Sequence, residues 1–563
     1  MEDIETKSKD SLADAKGPHH KGNVLLSIGL YFFLSYFFER LGFFLVLSFT
    51  VYLKLLGYEG ARAAQFSQFF WTLTSLASLL LSYLADSVFG RFPVLLGSLF
   101  IGTIGFGLIS LSSHINISSA ILFFIGSVIL ALGAGGARPV LTVLGADQFN
   151  IKDKRQAVHQ KHYFQYLYLF ANIAAALSSG LIAFYANGEI GPPTKRANYF
   201  NSFVMSSAFY AVSLIIILLV SRKLYKPERS GSALTNFIRV CYYSACRNIY
   251  GFFVCLGFIL QFVSLGLSLV SLFVSHLAIN GIALAFSFLG LAFMIFLNDN
   301  GWVRTASNSD RFSDQFIADS MALLKILPYI AFAAMFWCVY TQMSSTFLLQ
   351  GCQMNTMNSL KATQLPMINS VAIIIFVPIF NSLVYPFLER KGYPTSPLQR
   401  IGAGLLLASL TMLVSGIVEV YRLRSPPSIN KESCSDLEEF KKTFESSMSI
   451  LAALPQLVLG GLSEILAAIT FSDFYYVEVP ENVRSVSQAL SLLAISFGAV
   501  INSNLIKVSE GTLIKDDLNT GNLDTFFFII FGLGMLNFLI FIMVSRRYVY
   551  TSPPLAPAKI NEK

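Results

Sequence analysis

Charged residues are few. Asp, Glu, Lys and Arg fill 13% of 563 positions, against about 25% in a soluble globular domain. Cysteine and histidine, six of each, are equally sparse. Cys241, Cys246, Cys255, Cys338, Cys352 and Cys434 are scattered, without metal-ligand spacing or a disulfide framework, and whether Cys352 meets Cys434 stays open. His114, His159, His162 and His276 have no metal spacing either, so no metal and no cofactor are expected. Gly133-Ala134-Gly135-Gly136 lacks the Lys-Ser/Thr of a phosphate loop and stands inside an apolar run, which fits close helix packing. No nucleotide-binding domain and no nucleophile–base constellation is evident, which argues against an ATP-driven pump and an enzyme. Residues 1–22 lack the short apolar core of a cleavable signal and read as a disordered cytosolic tail.

What is present is apolar: 54% of the chain is hydrophobic and 52 residues are Phe. The net charge of +8 resides in loops between apolar runs, the pattern that orients membrane proteins rather than one that binds nucleic acid. Runs of about 20 apolar residues, each able to cross a bilayer, occur near 24–53, 64–84, 92–112, 119–144, 163–186 and 199–221. A second six occupies 321–350, 366–388, 398–421, 448–476, 484–509 and 523–545, and 251–273 and 277–297 add two between the groups. The chain thus reads as an all-α membrane protein of about fourteen helices. Its segments are a first bundle over 23–221, an inter-bundle segment over 222–320 whose extra helices fill 251–297, a second bundle over 321–546 and a cytosolic tail over 547–563.

Basic residues at Lys152, Lys154, Arg155, Lys161, Arg222, Lys223, Lys226, Arg229, Arg546 and Arg547 put both termini in the cytosol. Arg422, Arg424, Lys431, Lys441 and Lys442 run against that rule, in a loop that should be external. Asn116-Ile117-Ser118 would then be an external glycosylation acceptor. The plasma membrane is the default location, a lysosomal or vacuolar membrane the other.

Glu39 and Arg40 stand inside the first apolar run. A charge at mid-bilayer costs about 3 kcal/mol on insertion scales, so such a pair normally faces a bundle interior or an aqueous path. The turn Asp86-Ser87-Val88-Phe89-Gly90-Arg91 resembles the D-x-x-x-G-R loop of the major facilitator superfamily. Tyr36-Phe37-Phe38-Glu39-Arg40 is similar to the E-x-x-E-R signature of the proton-coupled oligopeptide transporter family. Gly135-Gly136-Ala137-Arg138-Pro139 and Gly145-Ala146-Asp147-Gln148-Phe149 resemble its G-G-x-K-P and G-A-D-Q-F. Phe164 to Tyr168 with Asn172, Val339-Tyr340-Thr341-Gln342-Met343 and Gly461-Leu462-Ser463-Glu464 follow in the same order. The resemblance implies a major facilitator fold of two six-helix bundles and a multipass, symporter-type transporter of peptides or related small polar or anionic solutes.

It also implies a site. Arg40, Arg138, Tyr168, Asn172, Tyr340, Asn369 and Glu464 would meet the substrate, a small molecule such as a peptide, amino acid or anion. Glu39 and Glu464 would carry protons, and Asp86, Gly90 and Arg91 would latch neighbouring helices. Structural readings remain beside these: Asn172 may equally serve interhelical bonding and Tyr340 simple packing. Two departures stand out. Tyr36 replaces the family's first acid with a phenol, a group whose reference pKa of about 10 gives no useful proton exchange at neutral pH. Phe44 replaces an aromatic hydroxyl, which puts peptide specificity in doubt. With Glu39 and Glu464 facing Arg40 and Arg138 the charges balance without a bound proton, so coupling should be altered or weakened. The alternative is a sensor or scaffold that keeps the fold and transports nothing.

Overall fold

In the lipid phase each backbone polar group needs an internal partner, so apolar runs of this length fold as helices. In the computed structural model fourteen helices among the described residues are long and apolar enough to span a membrane, as the runs predict. The described residues are 24–114, 119–150, 153–186, 195–227, 233–272, 274, 276–298, 300–308, 312–356, 360–393, 395–431, 434, 444–480 and 483–550. The expectations for residues 1–22, Asn116, Lys152, Arg229, Lys441, Lys442 and residues 551–563 fall outside them.

The first six spans are α1 (Val24–Leu55), α2 (Gly60–Ser87), α3 (Arg91–Ser113), α4 (Ala120–Ala146), α5 (Val158–Ala186) and α6 (Asn198–Val220). A shorter amphipathic helix, α7 (Ala233–Ala245), precedes the two extra spans, α8 (Ile249–Ser271) and α9 (Leu277–Phe296). The last six are α10 (Asp314–Cys352), α11 (Ala362–Arg390), α12 (Pro397–Arg424), α13 (Ile450–Val477), α14 (Val486–Val508) and α15 (Leu523–Ser545). By contacts the chain divides into two units. One comprises Met1–Phe44, Leu80–Ala175 and Phe200–Gly231; the other comprises Leu45–Leu79, Ala176–Tyr199 and Ser232–Lys563.

In the first unit α3 and α4 cross on glycine. A Cβ on Gly105 would press into the backbone of Leu130, one on Gly133 into Gly102, and one on Gly136 into Ser98 and Leu81. Glycine at these crossings lets two backbones approach as membrane helices require. The run Gly133–Gly136 is therefore a packing surface.

In the second unit α8 and α9 form a hairpin stitched by polar side chains. Ser264 and Ser287 hydroxyls lie 2.8 Å apart, and Gln261 Nε2 donates to the Ser287 carbonyl at 2.7 Å. Asn504 Nδ2 of α14 donates to Ser268 Oγ at 2.7 Å, and Gln65 Nε2 of α2 to Ser271 Oγ at 2.9 Å. At the end of the unit where α10 stops, a three-stranded sheet has order β1-β3-β2: β1 (Met354–Asn355) pairs parallel with β3 (Phe444–Ser449), which pairs antiparallel with β2 (Pro427–Lys431). The disulfide Cys352–Cys434, closing 82 residues, lies at the same end. Arg422, read from sequence as a loop cation, lies inside α12 and is buried, held by Glu419 at 2.7 Å and Asn519 at 2.7 Å. Pairing inside the protein removes it from the charge balance of the loops.

Candidate functional site

Each unit holds its own set of the sequence-derived residues. In the first, Glu39 is 0% and Arg40 2% exposed, so the pair is sealed inside the protein. Arg40 reaches both carboxylate oxygens, Nε to Oε2 and Nη2 to Oε1, at 2.5 Å each. Tyr210 Oη of α6 donates to Oε1 at 2.8 Å. The guanidinium lies 4.4 Å from the ring centre of Phe43 and 5.7 Å from those of Tyr36 and Phe44. A bidentate, aromatic-covered guanidinium is the arrangement that makes Arg tolerable in low dielectric. Sequence reasoning found the pair but not Tyr210, which is 171 residues away and belongs to no motif.

Arg138 differs in being exposed, and its side chain makes no hydrogen bond or ion pair among the described residues. Ile121, Ile125, Val128 and Leu132 form the exposed apolar stripe of α4. At about 100° per residue, Arg138 points some 120° away from Leu132. Leaving the lipid-facing stripe is what an unpaired guanidinium needs. On α5, Tyr168 is half-buried, and Asn172 is buried with its Nδ2 donating to the Tyr168 carbonyl at 2.9 Å. That donor serves its own helix, not a neighbouring one.

The turn after α2 closes as the sequence suggests. Gly90 has φ +89°, a region costly for residues with a Cβ. Arg91 Nε then donates to Asp86 Oδ1 at 2.8 Å, and Nη1 to Asp147 Oδ2 at 2.5 Å. Asp147 comes from the G-A-D-Q-F motif, and so does Gln148, which exchanges two hydrogen bonds with the backbone of Tyr225 at 2.9 Å. This motif thus ties the end of α4 to the start of α3 and to the chain beyond α6. Burial pushes the Asp147 carboxyl above its ordinary range, against the opposing pull of Arg91 and with a smaller push from Asp86.

In the second unit Tyr340, Asn369 and Glu464 converge. Tyr340 Oη donates to Glu464 Oε2 at 2.5 Å, while Asn369 Nδ2 lies 3.1 Å from Tyr340 Oη and 3.3 Å from Glu464 Oε2. Gly461 makes this possible: a Cβ there would stand 3.1 to 3.3 Å from Ala372 Cβ and from Asn369 O and Oδ1, so its absence lets α11 approach α13. Asn369 is 2% exposed, and its Oδ1 accepts no hydrogen bond among the described residues. A pocket of about 290 Å³ adjoins, lined mainly by Val339, Met343, Phe347, Met412 and Leu457, with Asn369 and Gln456 among its polar members. Immediately after Glu464 the helix carries a π turn, Ile465–Ile469. Such turns concentrate at functional sites.

Towards the disulfide end, uncharged side chains bind α1, α2 and α5 to α10 and α11. Thr50 Oγ1 donates to the Ser344 carbonyl at 2.8 Å, Gln68 Nε2 to the Thr341 carbonyl at 3.0 Å and Gln364 Nε2 to the Gly180 carbonyl at 3.2 Å. Asn502 Nδ2 reaches Thr341 Oγ1 at 3.0 Å and its Oδ1 accepts from Gln342 Nε2 at 2.7 Å. No cluster of three or more metal-ligating side chains occurs among the described residues.

A family model described as the POT family, PTR2, matches residues 92–517. Protein NRT1/PTR FAMILY 8.2 of Arabidopsis thaliana is 26% identical over 516 residues, covering 85% of this chain and 86% of the relative. Protein NRT1/PTR FAMILY 2.9 of the same plant is 26% identical over 540 residues, covering 87% and 86%. Among solved structures, that of the POT family transporter PepTSo superposes with a TM-score of 0.75 at 18% identity, covering 92% of this chain and 97% of that one. An auto inhibited POT family peptide transporter gives 0.73 at 19%, covering 93% and 98%.

Proposed function

The chain belongs to the POT family, a family of membrane transporters and not of enzymes, and on that premise we propose that it moves small peptides or related small polar or anionic solutes by alternating access, with altered or reduced proton coupling. Its two halves, 23–221 and 321–546, would rock about a central site in the manner of repeat-built transporters. The unpaired Arg138 offers a solute's anionic group a bidentate partner, while Glu464, Asn369 and Tyr340 offer acceptors to a cationic one. Arg40, Tyr168 and Asn172 complete the set, Arg40 through its effect on Glu39. Asp86, Gly90 and Arg91 act as the latch.

The observation that carries the coupling claim is at the start of the chain. Tyr36 supplies no carboxyl, and both oxygens of Glu39 are already engaged by Arg40 and Tyr210. Glu464 is then the remaining proton carrier. Sidedness follows from chemistry: a disulfide persists on the oxidising face of a membrane, so the Cys352–Cys434 end is external or lumenal and the opposite end cytosolic.

The test is uptake of labelled di- and tripeptides, histidine and nitrate into proteoliposomes, with and without an inward proton gradient, for the native chain and Tyr36→Glu. Gradient-independent native uptake that becomes gradient-driven in the variant is expected. Strong gradient drive in the native protein would move coupling to Glu464 or Glu39. A correctly inserted protein that moves none of these solutes at any pH would favour the scaffold.

A further inference from the structure

Helix α7 is not one of the fourteen spans, and its two faces differ. Phe237, Val240 and Cys241 are buried in one cluster with Trp302, Val303 and Ala306 of the 3-10 segment Asn300–Asn308. The outer face carries Ile238 and Tyr242, one turn apart and 56% and 72% exposed. That apolar stripe runs on without a break into Ile249, Tyr250 and Phe252, all exposed, at the start of the membrane-spanning α8.

Beside the stripe, Arg239, Tyr243 and Arg247 follow at intervals of four residues. The Arg247 guanidinium lies 3.7 Å from the Tyr243 ring centre, and its Nη1 donates to the Tyr243 carbonyl at 3.2 Å. This fixes the group while leaving its other donors outward. Arg239 is exposed and makes no hydrogen bond or ion pair among the described residues. No Asp or Glu occurs anywhere from Ala233 to Phe253.

A helix with an apolar stripe, a flanking basic row and direct continuity with a transmembrane span is built for the boundary between headgroups and acyl chains. We propose that α7 lies in the membrane interface and that Arg239 and Arg247, on either side of Tyr243, hold the phosphate of an anionic phospholipid while Ile238 and Tyr242 sit among its acyl chains. The occupant is a lipid and not a free phosphate because a soluble anion would leave the stripe from Ile238 to Phe252 in water. A juxtamembrane cation near an anionic leaflet contributes about 1 kcal/mol. Losing two therefore weakens binding about 30-fold.

The experiment follows thermal unfolding of the full-length protein in detergent micelles as lipid is titrated. Phosphatidylglycerol should raise the midpoint by several degrees, phosphatidylcholine by much less and excess inorganic phosphate not at all. Arg239→Ala with Arg247→Ala should weaken the apparent affinity for phosphatidylglycerol about 30-fold, the double Lys variant should retain most of it, and Arg546→Ala should match the native protein. Equal effects of the two lipids, an undiminished response in the double Ala variant, or stabilisation by inorganic phosphate alone would overturn the assignment. Tyr242→Trp, which keeps both arginines, gives an independent reading in reconstituted membranes. Brominated acyl chains should quench its emission, and absence of quenching beyond that of the native protein would also overturn it.

Discussion

Glu39 and Arg40 tolerate complete burial because each satisfies the other, and the two members of the cluster that hold Glu39 are unequal. Removing Arg40 leaves a carboxylate in low dielectric with only the Tyr210 hydroxyl as a printed partner, a loss of about 3–5 kcal/mol for a broken buried pair. Removing only the phenolic oxygen, by Tyr210→Phe, deletes one of three donors and costs about 1–3 kcal/mol. Thermal unfolding in detergent should therefore rank native above Tyr210→Phe above Arg40→Ala. A ranking with the two variants reversed would mean that Tyr210 and not Arg40 holds the carboxylate. The motif residues of this cluster were legible in the sequence because adjacent opposite charges in an apolar run are conspicuous. Tyr210 was not, since a tyrosine in an aromatic-rich helix carries no mark of its partner. Asn172 shows the converse: its place in a motif was readable, but only coordinates reveal that its amide bonds its own helix.

At the scale of elements, the latch joining α2, α3 and α4 predicts a pH dependence. Burial holds the folded-state pKa of Asp147 above its unfolded value. A raised acid contributes stability that is fully present below the unfolded pKa and is lost as pH rises through the folded one. Asp147→Asn mimics the protonated form at every pH. The variant should thus be as stable as the native protein or more so at neutral pH, with the difference shrinking towards zero as the medium is brought into and below the carboxylate range. Unfolding midpoints measured across acidic and neutral buffers check this, and a variant that is less stable at neutral pH would show that the Arg91 pairing outweighs burial. Helix number and the extra hairpin were legible from apolar run length alone, because the bilayer imposes it. The polar stitching of α8 to α9, α14 and α2 was not, since serine, glutamine and asparagine are common in helices and the sequence does not say which face they occupy. Arg422 misled for the same reason: its partner Glu419 is one turn away, and burial is not written in the spacing.

For the whole molecule, sidedness is the property that composition and chemistry address together. Ser271, at the end of α8, bonds Gln65 at the start of α2, near the disulfide end, whereas Cys246 is exposed just before the other end of α8. A helix of 23 residues separates them by about 35 Å. A membrane-impermeant maleimide should therefore leave Cys246 unlabelled in intact cells and label it after permeabilisation, with Cys246→Ser as the control. Labelling from outside would invert the topology. The fourteen spans also share a subtler trait, for α5, α11 and α13 each carry a π turn, at Ser178–Ile182, Phe380–Val384 and Ile465–Ile469. Each such turn holds one residue more than an α-helix would use over the same rise. The direction in which Glu464 points is consequently set by a count and not by a neighbour: deleting any single residue of Ile465–Ile469 would relax the turn and rotate Glu464 by about 100° relative to the rest of α13, away from Tyr340 and Asn369, with every residue that touches it unchanged. In the language of insertions and deletions, part of this site is stored as punctuation.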